Sequence, residues 1–257
     1  MRIRVLGCHH TETATARLSA LLVNQELALD AGAITSTLTL EEQHRIRAVL
    51  ITHHHYDHVR DLLSLALGGY DNGMTISVFS PEVTLNKLRR HFLDGSLYPD
   101  FTQMPTPESP RLRLIPLEAW RQHKICGLNV TPIPMQHTVP AVGYHITEPG
   151  GKGFFHTGDT RGGLYDVLKR IDPKLLITEV TFPNSEESLA QLTGHMTPSL
   201  LERELTQLTA NGSVIPPVLA VHMHTQVETQ IAAEIEEVAS SIGITITVGY
   251  EGMVVDL

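Results

Sequence analysis

Ala48-Val49-Leu50-Ile51-Thr52-His53-His54-His55-Tyr56-Asp57-His58 is the stretch on which the reading turns. Its apolar, partly β-branched start, Ala48 to Thr52, reads as a buried strand. That strand runs into the pattern His-x-His-x-Asp-His. His53 and His55 are two residues apart, so in an extended segment they point to the same side. Asp57 and His58 follow as the chain turns toward a helix. Four potential ligands thus converge at one strand end. Imidazole suits zinc, iron and similar cations, and a carboxylate adds a hard, anionic ligand. One histidine pair would fit a solvent-exposed polar turn. Three histidines and an aspartate in this register, after a β run, point to a metal.

The rest of the chain sets bounds around that motif. Its 257 residues, 42% hydrophobic and 18% charged, suit one α/β domain over 1–257 and exclude a composition-driven disordered chain. A net charge of −9 argues against a protein that grips long nucleic acid through its phosphates. The only cysteines, Cys8 and Cys126, form no CxxC pair and read as buried thiols. The opening MRIRVLGCHH lacks an apolar signal region, and no apolar run approaches the ~20 residues of a membrane span. The expectation is a cytoplasmic protein with no membrane partner. Histidine stands out, at 15 against 19 for lysine and arginine together, and histidine is the commonest metal ligand.

Short β-like runs at 3–6, 18–23 and 26–29 precede a helical segment at 40–45 and the strand 48–52. A helix over 59–66 and a strand over 75–79 follow. Ser80-Pro81-Glu82 reads as a helix start with serine as N-cap, and the helix runs to about 92. Residues 94–110 are rich in proline and polar side chains and read as a long loop. Strands are expected at 111–116, 128–135, 141–147, 152–157, 175–179, 218–221, 244–248 and 252–256. Helices are expected at 163–171, 186–192, 198–209 and 227–242. Strands this numerous, with helices outside them, suggest two sheets flanked by helices, an αββα four-layer sandwich.

More ligand candidates sit at strand ends. His137 follows an apolar strand in PMQHTVPAVGY, Asp159 lies in HTGDT, His222 ends an apolar strand in LAVHMH, and Asp30 closes LALDAG. Together with the His-x-His-x-Asp-His run, these regions, in this order, resemble the metallo-β-lactamase superfamily. The resemblance implies that His53, His55 and His137 hold one metal, that Asp57, His58 and His222 hold a second, and that Asp159 bridges both. Each ion then has three terminal ligands, a shared carboxylate and a position for solvent. Two metals ~3.5–4 Å apart can hold a hydroxide between them. A pair of zinc ions is the expectation from ligand type, and manganese or iron would also be held. His224 is the alternative to His222. Asp30 is expected to orient the motif by hydrogen bonding.

Within the superfamily, GCHHTETATARLSALLV, HTVPAVGYHI and GHMTP look like bacterial relatives of class II cyclic-nucleotide phosphodiesterases. This implies hydrolysis of a small phosphodiester such as a 3′,5′-cyclic nucleotide by a metal-bridging hydroxide. Asp57 and His195 are the candidate catalytic residues. His195, at a helix start capped by Thr197, could protonate the leaving oxygen or bind phosphate, its alternative being a surface histidine near a cap. The chain departs from that signature at Tyr56, where leucine is usual, at Arg60-Asp61, and at His224, where lysine is common. Tyr98, Phe101 and Met104 of the long loop are candidates for covering a nucleobase. His9 and His10, after the first strand, read as loop residues or as lining of the pocket's mouth.

Other readings remain open at this stage. HTVPAVGY and GDTR are also similar to tRNA 3′-processing endonucleases, although no Gly- and Lys-rich insertion is present. A glyoxalase II-like thioesterase should carry a basic C-terminal region, whereas EGMVVDL is acidic and apolar. A metal- or nucleotide-binding protein without activity would be expected to have lost a ligand. A homodimer is a further open possibility.

Overall fold

The computed structural model describes residues 1–257 except 70–72, 211 and 213. Its strands are β1 (Arg2–Gly7), β2 (Ala20–Val23), β3 (Leu27–Leu29), β4 (Ala48–Leu50), β5 (Ile76–Ser80), β6 (Pro105–Thr106), β7 (Ser109–Pro110) and β8 (Leu112–Pro116), followed by β9 (His123–Ile125), β10 (Leu128–Met135), β11 (Ala141–Thr147), β12 (Gly153–His156), β13 (Leu175–Glu179), β14 (Val218–Val221), β15 (Ile246–Val248) and β16 (Val254–Asp256). The α-helices are α1 (Ile34–Thr37), α2 (Leu40–Gln43), α3 (Tyr56–Val59), α4 (Leu62–Gly68), α5 (Glu82–His91), α6 (Leu164–Leu168), α7 (Glu187–Thr193), α8 (Pro198–Ala210) and α9 (Glu228–Ile242).

One sheet has the order β16-β1-β2-β3-β4-β5-β8 and the other β15-β14-β13-β12-β11-β10-β9. Each mixes an antiparallel flank with a parallel run, β3-β4-β5-β8 in the first and β12-β13-β14-β15 in the second. Side chains alternate across a strand, and this alternation builds the layers. Leu50 of β4 joins Val130, Tyr144, Phe154, Ile177 and Leu219 in a core between the sheets. Its neighbours Val49 and Ile51 face the other way, onto Ile34, Leu62, Leu65, Leu85 and Leu88 of the helices. In the second sheet Phe155 and Leu176 turn outward onto Leu201, Leu205, Ile231 and Ile235. The product is the αββα sandwich of the metallo-β-lactamase type.

The chain just past β4 is fastened from both sheets. Ile51 N donates to Phe79 O (2.9 Å) and Val142 N donates to Thr52 O (3.0 Å). Ile51 O accepts from Ser80 Oγ at 2.8 Å and from Tyr144 Oη at 2.7 Å. The His-x-His-x-Asp-His run begins at His53, directly after Thr52.

Several expectations need correction. The helix read over 59–66 is two short helices, α3 and α4, because Asp61 is drawn away: its N donates to Ala31 O (2.7 Å) and its Oδ2 accepts from Thr35 N (2.7 Å). Ser80 caps no helix; it ends β5, and its hydroxyl is spent on Ile51. The long loop carries the small hairpin β6-β7, and β9 had no distinct apolar signal. His9, read as a loop residue, is buried: its ring lies between Glu251 (2.6 Å) and Glu228 (3.2 Å).

Candidate metal centre

The parallel strands end at one edge of the sandwich, where ligands of open α/β sheets are bound. Past β4 come His53, His55, Asp57 and His58; past β10, His137; past β12, Asp159; past β14, His222. Donor atoms of His53, His55, His137 and Asp159 lie within 4.8 Å of one another, and so do those of Asp57, His58, Asp159 and His222. Asp159 belongs to both groups. His53, His58, Asp159 and His222 form a buried floor, while His55, Asp57 and His137 are half-buried at the opening.

Three of the rings are fixed from behind, and the fixing decides which nitrogen faces the cluster. His58 Nδ1 meets Asp30 Oδ2 at 2.8 Å, His222 Nδ1 meets Thr181 Oγ1 at 3.0 Å, and His137 Nδ1 meets Gly194 O at 2.8 Å. Asp30 also accepts from Thr52 N (2.8 Å) and Thr52 Oγ1 (3.0 Å), so one buried carboxylate positions both ends of the motif. Outer partners of this kind set the orientation and basicity of metal-binding imidazoles. His222 Nε2 reaches Asp57 Oδ2 at 3.2 Å, and His55 Nδ1 lies 3.2 Å from His137 Nε2.

Two observations fit this cluster to cations. His53 Nε2 and His58 Nε2 are buried without a hydrogen-bond partner, yet face Asp159 Oδ2 at 3.6 and 3.3 Å. Buried polar atoms are rarely left so. The protonation balance also suits a cation. Burial, reinforced by His58, holds His53 well below the ordinary histidine range, and burial with His137 takes His55 down to about 4. Burial raises Asp159 and Asp57, but the surrounding imidazoles outweigh it and keep both well below the usual carboxylate range. Neutral imidazoles beside ionised carboxylates are the ligand states a metal requires. His58 runs the other way: burial lowers it, but Asp159, Asp30 and Asp57 outweigh burial and raise it well above the ordinary range, so a cation binding there would displace its proton.

Close backbone approach shapes the edges. Gly158, at φ +59°, sits where a Cβ would stand 2.8 Å from Thr52 Cβ. Gly194, at φ +83°, brings its carbonyl to His137, and a Cβ there would be 2.7 Å from His137 Nδ1. Glycine alone meets both demands.

His195 lies between α7 and α8, buried, with its ring 5.2 Å from His137 and 5.4 Å from His222. Its Nδ1 meets Glu179 Oε1 at 2.9 Å. Burial alone would lower His195, but Glu179, Asp159 and Asp57 raise it to about 9. Glu179 Oε2 also accepts from Thr181 Oγ1 (2.5 Å), which contacts His222, so one carboxylate supports two imidazoles. Sequence reasoning passed over Glu179 and Thr181. The available signal was an acidic residue closing the apolar strand β13, in register with Val221 just before His222.

The remaining candidates disperse. His224 lies outside both donor groups and packs near His10 (5.6 Å) and Phe182 (5.9 Å). His10 stacks edge-on against His195 and His222. His156 lies 3.8 Å from Asp30. Met135, Met196 and Met223 are core residues. Phe101 is buried in the core, whereas Tyr98 and Met104 are exposed.

Comparison with known proteins places this geometry. The model of the beta-lactamase superfamily domain matches residues 28–224. Ribonuclease Z of Pseudomonas putida is 32% identical over 108 residues, which is 40% of this chain and 30% of that protein. The chain thus aligns with under a third of its curated relatives' length. Among solved structures, unliganded yeast PDE1 superposes with a TM-score of 0.83 at 17% identity, over 100% of this chain and 99% of that one. The metallo-β-lactamase fold protein YhfI of Bacillus subtilis gives 0.77 at 18%, covering 99% of each. Short-form human tRNase Z gives 0.71 at 20%, covering 100% of this chain and 99% of that one. The chain therefore belongs to the metallo-β-lactamase superfamily, with phosphodiesterase-like relatives.

Proposed function

We propose that the protein is a dinuclear metal-dependent phosphodiesterase that hydrolyses a small phosphodiester, a 3′,5′-cyclic nucleotide of the cyclic-AMP type. The observation that carries this reading is the buried Glu179–His195 pair (2.9 Å) set beside two donor groups that share Asp159. Full-length likeness of fold to yeast PDE1 supports it, as do the GHMTP and HTVPAVGYHI segments.

His53, His55 and His137 would hold one cation, Asp57, His58 and His222 the other, and Asp159 both. Zinc is proposed from the donor types. When bound, two such cations activate water and neutralise charge on the phosphate. The protein's own residues do the rest. Asp30, Thr181 and Gly194 O hold His58, His222 and His137 in register. Glu179 holds the proton of His195 on Nδ1, orienting the ring and favouring imidazolium. Nε2 is then the atom that delivers a proton to the departing 3′ oxygen. Cations nearby would draw His195 back from its raised value toward neutrality, where a general acid works best.

The test is release of 5′-AMP from 3′,5′-cyclic AMP by zinc-loaded protein, with a chelated control. Chelator-sensitive release is expected. No release from protein shown to hold two metals would overturn the substrate assignment.

The match to ribonuclease Z favours a second reading, an RNA phosphodiesterase. Salt separates the two. With −9 net charge, small-substrate turnover should change little between about 50 and 200 mM salt, whereas activity that depends on many phosphate contacts falls by orders of magnitude.

A further inference from the structure

Beside the metal centre lies a groove of about 380 Å³, bounded by Tyr56, Arg60, Leu63, Phe92, Leu97 and Tyr98. That size falls among small-ligand clefts, roughly 300–1,000 Å³. Tyr56 stands in the chain between two candidate donors, His55 and Asp57, so one residue of the groove's lining is anchored at the candidate metal centre. Although it opens helix α3, Tyr56 is 64% exposed, and Tyr98, from the loop across the groove, is 40% exposed. Both tyrosines thus present their rings to solvent on the lining of one groove.

Charge in the groove narrows the ligand. Among the described residues Arg60 is the one cation of its lining, and that guanidinium is already engaged: Nε donates to Asp61 Oδ1 at 2.9 Å, Nη1 pairs with Glu12, and Nη2 reaches Ser36 Oγ at 3.3 Å. Asp61 spends its other oxygen on Thr35 N. One guanidinium thus faces two carboxylates, Asp61 and Glu12, which leaves it no spare positive charge for a second phosphate. Tyr56, Tyr98, Phe92 and Leu97 remain, a surface suited to a flat, uncharged, π-faced group.

We propose that this groove is the base subsite of the enzyme: it receives the nucleobase of the phosphodiester, stacked on Tyr56 and flanked by Tyr98, and so makes these tyrosines specificity-determining residues. The inference rests on the phosphodiesterase reading and adds the part of the substrate that is recognised.

Calorimetric titration of zinc-loaded protein with AMP and with ribose 5-phosphate separates the subsite from the chemistry, since the two ligands differ in the base alone. AMP should bind wild type roughly tenfold more tightly, within the range for one base on an aromatic ring. Tyr56→Leu and Tyr98→Ala should each shrink that preference severalfold with ribose 5-phosphate binding unchanged, and Tyr56→Phe, which keeps the ring, should retain it. With cyclic AMP as substrate, the loss should appear in KM more than in kcat. Equal binding of AMP and ribose 5-phosphate by wild type would overturn the subsite, as would an undiminished preference in folded Tyr56→Leu and Tyr98→Ala proteins. A base preference that vanishes in those variants, in a protein that cleaves no cyclic nucleotide, would uphold the groove while overturning the proposed reaction.

Discussion

Asp30 and His222 both hold φ near +60° (56° and 62°), each just past the end of a strand. Non-glycine residues seldom take this conformation, and it persists only where surroundings enforce it. Here backbone bonds do so: Asp30 N to Leu50 O at 2.8 Å and His222 N to Cys8 O at 2.6 Å. The turned backbone swings each side chain back over the strand ends. Asp30→Asn should keep the shape and lose the charge that faces His58, lowering zinc affinity about 10–100-fold in a metal titration; unchanged affinity would reduce Asp30 to packing. Glu179 lends itself to a pH test on metal-free protein. Against the lowering effect of burial, Glu179 has the largest influence of three carboxylates, with Asp159 and Asp57, that together lift His195 from 6.5 to about 9. A raised histidine stabilises the fold fully below about pH 6.5, and that contribution fades as pH rises through about 9. Denaturant melts of wild type should therefore lose more stability across this window than those of Glu179→Gln, and parallel profiles would show that Glu179 does not hold the proton. The donors were legible because histidine and aspartate recur in short register at strand ends. Glu179 and Thr181 were not, since one acidic residue in TEVTF has no periodic signature. Only the alignment of β13 with β14 reveals what it faces.

At the scale of elements, strands bounded by sharp turns were read closely: β10, β11, β13 and β14 have the residues the apolar runs suggested. Where a side chain was claimed by distant backbone, local reading failed, as with Asp61 between α3 and α4 and Ser80 before α5. Ser80 thereby fastens the chain just past β4. Tyr144 offers a measure of that fastening. Its hydroxyl, buried between the sheets, donates to Ile51 O. Tyr144→Phe keeps the ring in the core and removes one bond from an oxygen that Ser80 still satisfies. The expected cost is about 1 kcal/mol in denaturant unfolding, and a cost near zero would mean that the second sheet does not help hold the strand end.

Over the whole molecule, we propose that residues 1–257 act as one cooperative unit, to be seen as a single unfolding transition with coincident probes. Two transitions would divide the chain. The layer order was suggested by many apolar strands with helices outside them; which side chains of β4, β12 and β13 face inward and which outward is visible only in the structure, because both faces are apolar and buried. Which sheet supplies which donor was likewise not legible, because that depends on how the sheets face each other. His53, His55, Asp57 and His58 follow a strand of the first sheet; His137, Asp159 and His222 follow strands of the second. Cations held among them would rivet the sandwich along its open edge. Free cation at 100 times its dissociation constant adds about 2.7 kcal/mol to a fold that binds it only when native. Chelation should lower Tm and speed proteolysis together, so the lifetime of the chain would follow metal supply, and scarcity of the cofactor would clear the protein as well as silence it.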